Sequence, residues 1–71
     1  MEEEKWYCVM RRDGLLLESY KNGKAKWTRA TKEASQIKDL DMTRFFAKKT
    51  GGRVVLMRVI IEEVEDDEFS E

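Results

Sequence analysis

The run R-V-V-L-M-R-V-I-I-E-E-V, residues 53–64, is the densest stretch of aliphatic residues in the chain. It follows Gly51-Gly52 and is too short for a buried helix, so it predicts a β-strand. In strict alternation, one face of this strand is wholly apolar: Val55, Met57, Val59 and Ile61. The opposite face is apolar except for one arginine: Val54, Leu56, Arg58 and Ile60. Because a half-buried strand needs only one apolar face, the second face predicts that something covers it.

The first half of the chain predicts a three-stranded antiparallel meander. Its strands are residues 5–12, 15–20 and 24–29. Asp13-Gly14 and Asn22-Gly23 separate them, and such dipeptides favour two-residue type I′ turns, which need positive φ at both central residues. Trp27 is predicted to face the core, with the neighbouring lysines in water.

One main helix is predicted between the meander and the last strand. It runs over residues 42–49, with Asp41 as N-cap and Gly51 as its stop. Its predicted inward side chains are Met42, Phe45 and Phe46. A shorter helical segment is expected within residues 31–37. The predicted fold class is therefore α+β, a four-stranded, mainly antiparallel sheet in the chain order β-β-β-α-β, with the helix packed on one face.

The charges of the chain are segregated although its net charge is only −1. Residues 5–61 contain all 14 lysines and arginines but five acids, which gives this body a charge of +9. Ten further acids lie in residues 1–4 and 62–71. We predict a single domain over residues 1–64 and a disordered acidic tail over residues 65–71, because an acidic run with one aromatic residue cannot build a core.

Residues that carry chemistry are nearly absent from this sequence. There is no histidine, and the single Cys8 excludes a thiolate zinc cluster, which needs two to four cysteines. The acid pairs lack a rigid pocket, so no catalytic carboxylate pair is expected. The sequence predicts a protein without catalysis, metal or cofactor. With no signal peptide and no apolar run long enough to span a membrane, it also predicts a cytoplasmic protein without a membrane partner.

The surplus apolar surface of the last strand predicts a binding site. The strand would span roughly 35–40 Å, whereas the helix would span only about 15 Å. We therefore expect a protein partner, or a second copy of the chain as a homodimer, on the uncovered face. The candidate residues are Tyr7, Val9, Leu16, Val54, Leu56, Arg58 and Ile60. The alternative is a curled sheet that covers more of itself.

A nucleic-acid-binding face is the alternative function. Basic residues cluster on the second hairpin and beside the first turn: Arg11, Arg12, Lys21, Lys24, Lys26 and Arg29. Tyr20 and Trp27 interleave with them, and cations beside stacking rings are typical of single-strand binding. The acidic ends would then act as an intramolecular screen.

Two resemblances extend this interpretation. The order of apolar and glycine motifs resembles that of small uncharacterised domains encoded by phages and prophages of Gram-positive bacteria. The matching positions are Trp27, Ala34, Ile37, Leu40, Phe45-Phe46-Ala47 and Gly51-Gly52-Arg53-Val54. That resemblance implies a non-catalytic domain in the host cytoplasm that binds, and in some cases blocks, a host factor.

The pattern Asp13-Gly14, Trp27 and Thr31-Lys32-Glu33-Ala34 is similar in order to the DNA-binding arm of tyrosine integrases and to their plant transcription-factor relatives. Such arms read the major groove with a three-stranded sheet, and they lack the long fourth strand predicted here. Our first interpretation is therefore a small protein-binding module that acts through the apolar sheet face or the acidic ends, and the nucleic-acid binder is its alternative.

Overall fold

The computed structural model describes residues 2–61. Its elements are β1 (Glu2–Met10), β2 (Leu16–Lys21), β3 (Lys24–Thr28), a short 3-10 helix (Thr31–Glu33), α1 (Leu40–Thr50) and β4 (Arg53–Ile61). The strands form one antiparallel sheet in the order β3-β2-β1-β4. This confirms the predicted α+β class with four strands and one main helix. The predicted tail over residues 65–71, and the last three residues of the predicted fourth strand, lie outside the described residues.

The two hairpin turns differ from each other. At Asn22-Gly23 both residues have positive φ, 52° and 76°, as a type I′ turn requires. At the first turn the Arg11 N–H donates to the Leu15 carbonyl (2.7 Å), and Gly14 has a positive φ of 92° whereas Asp13 does not. The loop is therefore three residues long, and the predicted two-residue turn there is wrong. The Asp13 carboxylate accepts two hydrogen bonds from the Arg11 guanidinium, a contact that favours the longer loop.

A β-bulge in β2 decides which side chains reach the core. Leu17 pairs with Trp27, but the next pair is Ser19 with Lys26, so Glu18 is an extra residue in the ladder. Side chains alternate along a regular strand, and residues three apart would point to opposite faces. The bulge instead lets Leu17 and Tyr20 pack in one cluster with Trp27. The predicted core position of Trp27 is confirmed.

The main helix begins two residues earlier than predicted. Its N-cap is Asp39, whose side chain accepts hydrogen bonds from the N–H groups of Asp41 (2.9 Å) and Met42 (3.5 Å). The helix ends at Gly51, which has a left-handed φ of 77° as the predicted stop requires. Two acids lie two positions apart, and the earlier one caps the helix.

Small side chains, and not aromatic ones, face the sheet from α1. Thr43 and Ala47 are buried, and Phe46 is half-buried. Met42 and Phe45 are 51% and 53% exposed, so their predicted inward placement is wrong. Thr43 is accommodated in the core because its hydroxyl donates to the Asp39 carbonyl at 2.8 Å. Thr43 and Ala47 are four residues apart and share a helix face, and their small side chains let the helix lie close to the sheet.

The segment after the 3-10 helix fills a gap between two strands. β1 and β2 pair only next to their turn, and residues 35–37 lie between them further along. Tyr7 and Ile37 exchange two main-chain hydrogen bonds, at 2.7 and 2.9 Å, and the Ser35 N–H donates to the Leu17 carbonyl. The predicted short helical segment within residues 31–37 forms only over Thr31–Glu33. Its predicted extension to residue 37 is wrong, because residues 35–37 complete the sheet instead.

Both faces of the sheet carry a small core. Under α1 the cluster contains Val9, Leu17 and Ala47, with Tyr20, Trp27, Phe46 and Val54 around them. On the opposite face it contains Trp6, Cys8, Leu16 and Ala34, with Met10, Val55 and Met57 around them. The helix packs on one face, as predicted, but this is the face of Val9 and Val54, which was predicted to be uncovered, and Ala34 packs on the other face. The prediction of which face α1 covers is therefore wrong. The first half of β4 is therefore half-buried on both sides, and its second half is not.

Candidate protein-interaction surface

The last four residues of β4 form a two-stranded arm with the start of β1. Here the arm denotes residues 2–5 and 58–61, which pair from Lys5 with Arg58 to Glu2 with Ile61. Glu2 was predicted to precede the first strand and instead belongs to it. Four large apolar side chains on the arm and beside it are between 42% and 55% exposed: Leu56, Val59, Ile60 and Ile61.

The direction of the main-chain groups of β4 follows from its partner strand. Tyr7 uses its N–H and its carbonyl on Ile37, on the side of β1 that faces away from β4. Tyr7 and Leu56 are therefore a pair without mutual hydrogen bonds, since such pairs alternate with bonded ones in an antiparallel ladder. The N–H and carbonyl of Leu56 consequently point outward. The same parity applies to the alternate residues of β4: Val54, Arg58 and Ile60.

Within residues 2–61, β4 has a neighbouring strand on one side only. Its outer side thus presents a row of main-chain donors and acceptors with Leu56, Arg58 and Ile60 exposed beside them. An edge of this kind is a template for pairing with another strand. Proline and bulges are common protective devices at sheet edges; the sequence contains no proline, and the bulge lies in β2.

The structure separates the seven residues predicted for protein binding into three groups. Leu56, Arg58 and Ile60 are exposed, from the middle of β4 toward its C-terminal end. Tyr7 and Val54 are half-buried on the same face, and Val9 between them is buried under α1. Leu16 is buried on the opposite face, beside Cys8. One face therefore carries six of the seven residues, of which the outer three are accessible.

Two exposed apolar features were missed by the sequence interpretation. Val59 and Ile61 were placed on the covered face of the strand, but the arm extends past the core that would cover them. Met42 and Phe45 form a second exposed pair on α1, and the Lys49 ammonium lies 5.5 Å from the Phe45 ring. The available sequence signal was Asp39, which is as suitable a cap residue as Asp41 and starts the helix two residues earlier.

A shallow cleft lies beside the middle of β4. It has a volume of about 260 Å³ and is lined by Lys5, Trp6, Tyr7, Lys38 and Leu56. The Lys38 ammonium donates to the Lys5 carbonyl at 2.9 Å, which partly satisfies that cation. Ligand pockets usually range from roughly 300 to 1,000 Å³ and enclose most of the ligand. This cleft is smaller and suits a single side chain of a partner that docks along β4.

The basic residues predicted for nucleic-acid binding do not share one surface with exposed rings. Arg11 forms an ion pair with Asp13 (2.6 Å) and lies 5.2 Å above the Trp27 ring, and Lys26 forms one with Glu18 (3.0 Å). The hydrogen bond from Arg11 lowers the pKa of Asp13 to about 2. The remaining cations of this group are exposed: Arg12, Lys21, Lys24 and Arg29. Tyr20 and Trp27 both pack in the cluster under α1.

Cys8 lies in the core and faces no cleft. Its side chain is fully buried, and its Sγ lies 3.4 Å from the Ser35 carbonyl. Burial raises the pKa of the thiol, which keeps it protonated and unreactive near neutral pH. In the part of the chain that the structure describes, no group of acidic and cysteine side chains is placed to hold a metal ion.

Comparison with known proteins gives no relative for this chain: no protein-family model, no curated protein and no solved structure matches it. Over residues 2–61, the structure has no helix of the length and apolar character needed to cross a membrane.

Proposed function

We propose that this chain is a non-catalytic protein-binding module that acts through the outer edge of β4. The observation that carries the proposal is the coincidence of two features on one strand. The main-chain groups of Leu56, Arg58 and Ile60 point outward, and the side chains of the same three residues are exposed. A partner in extended conformation would add a fifth strand to the sheet.

Strand addition divides the work of binding between main chain and side chains. The main-chain hydrogen bonds supply affinity for any extended segment, and alternate side chains supply specificity. On the α1 side the added strand would meet Leu56, Arg58 and Ile60, with the cleft beside Leu56 available for one of its side chains. On the other side it would meet Val59 and Ile61, so a segment with alternating apolar residues fits best.

The proposed partner is a protein, in keeping with the resemblance to phage domains that engage a host factor. The nucleic-acid alternative has less support from the described residues. Two of its six cations are in ion pairs, and the two rings that would stack on bases pack in the cluster under α1. Base stacking needs an accessible ring face, which neither Tyr20 nor Trp27 supplies in full.

Selection from a display library of random twelve-residue peptides tests the proposal without a known partner. We expect enrichment of peptides with alternating apolar residues that bind with micromolar affinity. In amide NMR spectra of the full-length protein, such a peptide should shift the signals of Leu56, Arg58 and Ile60 most.

Three variants assign the binding surface in that experiment. L56K/I60K should lose binding at least about tenfold, because it removes both exposed anchors, a cost of roughly 1.4 kcal/mol or more. M42K/F45K removes as much exposed apolar surface from α1 and should bind normally. K21E/K24E tests the basic hairpin and should also bind normally. The proposal would be overturned if the peptides bind L56K/I60K normally and lose affinity for M42K/F45K or K21E/K24E.

A further inference from the structure

We propose that the strand which occupies the β4 edge belongs to a second copy of this chain, paired antiparallel about a two-fold axis at Met57. The inference rests on the proposed function of that edge and names its partner. It joins two four-stranded sheets into one continuous sheet of eight strands with both α1 helices on the same face. Isologous contacts of this type are the commonest form of homodimer.

The direction of the main-chain groups limits the registers that two copies can adopt. Only outward-pointing residues can bond to one another across the interface, and in β4 these are Val54, Leu56, Arg58 and Ile60. Allowed registers therefore differ by steps of two residues. A shift by a single residue would place inward-pointing groups against outward-pointing ones and form no ladder.

One allowed register pairs the whole of β4. With the axis at Met57, Arg53 lies opposite Ile61 of the second copy, Val54 opposite Ile60, and Leu56 opposite Arg58. All nine residues of β4 then pair, with about eight main-chain hydrogen bonds between the copies. The adjacent registers, centred on Leu56 or Arg58, each leave both ends unpaired. The one centred on Arg58 also places two arginines directly opposite, which is destabilising.

Charge complementarity favours a second copy over an unrelated strand. The residues after Ile61 are rich in acids, with seven between residues 62 and 71. The residues before β4 are basic, with Lys48 and Lys49 at the end of α1 followed by Arg53. In the fully paired register Ile61, which the acidic residues follow in sequence, lies opposite Arg53 of the second copy. The same chain therefore supplies both halves of two equivalent contacts between opposite charges.

Sedimentation velocity and cysteine cross-linking of the full-length chain test this inference together. As concentration rises from micromolar to millimolar, the mass should increase from 8.4 kDa to twice that value. Under mild oxidation, M57C should form a disulfide-linked dimer, because paired residues without mutual hydrogen bonds bring their Cβ atoms within about 4.5–5.5 Å. V59C is the matched control and should cross-link at least about tenfold more slowly. In this register Val59 lies opposite Val55 of the second copy, so the two introduced cysteines would be four residues apart along the strands. The native Cys8 is buried and should not compete in the cross-linking.

Each outcome decides the inference. Dimerisation with selective cross-linking of M57C supports it. A chain that stays monomeric throughout, or a dimer that cross-links faster through V59C, overturns it. A monomer that still binds selected peptides at β4 would contradict the homodimer alone and leave the proposed function standing. A chain that neither dimerises nor binds peptides would overturn both the homodimer and the proposed function.

Discussion

Replacing Gly52 by valine should destabilise the fold by about 3 kcal/mol, since overpacking a close contact typically costs 1–3 kcal/mol and sometimes more. A Cβ atom at this position would lie 2.6 Å from Val9 Cγ1 and 3.0 Å from the Met10 carbonyl oxygen. The Val9 methyl is held in the core under α1, and the carbonyl belongs to β1. Moving either atom would disturb the core or β1, so the start of β4 would have to move away from β1. Urea unfolding measures the effect.

Gly14→Ala is the control for this substitution. A Cβ atom at Gly14 would meet nothing within 4 Å, so its cost comes from the positive φ of 92° alone, about 1–2 kcal/mol. The close approach at Gly52 is thus separated from the conformational cost of losing a glycine. Equal destabilisation by the two variants would show that β4 and β1 leave room for a side chain at Gly52.

Proline substitution should distinguish neighbouring residues of β4 by their main-chain direction. Met57 pairs with Trp6 as a bonded pair, so Met57→Pro removes a ladder hydrogen bond and should cost about 2–3 kcal/mol. Arg58 directs its N–H to the outer edge, so Arg58→Pro removes no internal bond. Proline is tolerated at such edge positions, and we expect a cost below about 1 kcal/mol. The comparison is again made by urea unfolding.

The same pair of variants links stability to binding. Arg58→Pro should fold and yet fail to add a strand, because it removes a donor from the middle of the outer edge. It should therefore lose peptide binding and dimerisation together. If Arg58→Pro unfolds the chain while Met57→Pro folds normally, the assignment of inward and outward residues in β4 is reversed.

The parts of the fold that sequence alone could predict are those encoded locally. The aliphatic run of β4, the type I′ dipeptide Asn22-Gly23 and the helix stop at Gly51 each carry their signal within a few residues. The helix start was predicted at Asp41, but Asp39 is an equally good cap residue and is the one that caps the helix. The choice between them depends on which helix face fits the sheet. Thr43 and Ala47 fit closely, and that requirement becomes visible only with β1 and β4 in place.

The candidate site could be predicted in its composition but not in its geometry. The outer residues Leu56, Arg58 and Ile60 were identified from alternation alone. Alternation does not tell which main-chain groups of β4 face outward, because that depends on the contact between Tyr7 and Ile37, thirty positions apart in the chain. Nor could it tell that β1 starts at Glu2 and so extends the arm beyond the core, since glutamates are poor strand formers.

Residue-resolved amide hydrogen exchange on dilute, full-length protein shows whether the outer edge of β4 is open for pairing. We predict alternation along the strand, with the amides of Val55 and Met57 exchanging at least about tenfold more slowly than those of Leu56 and Arg58, because only the first two are bonded within the sheet. Uniformly slow exchange through all four residues would mean that the outer edge is already covered in the monomer and has no free main-chain groups for a fifth strand.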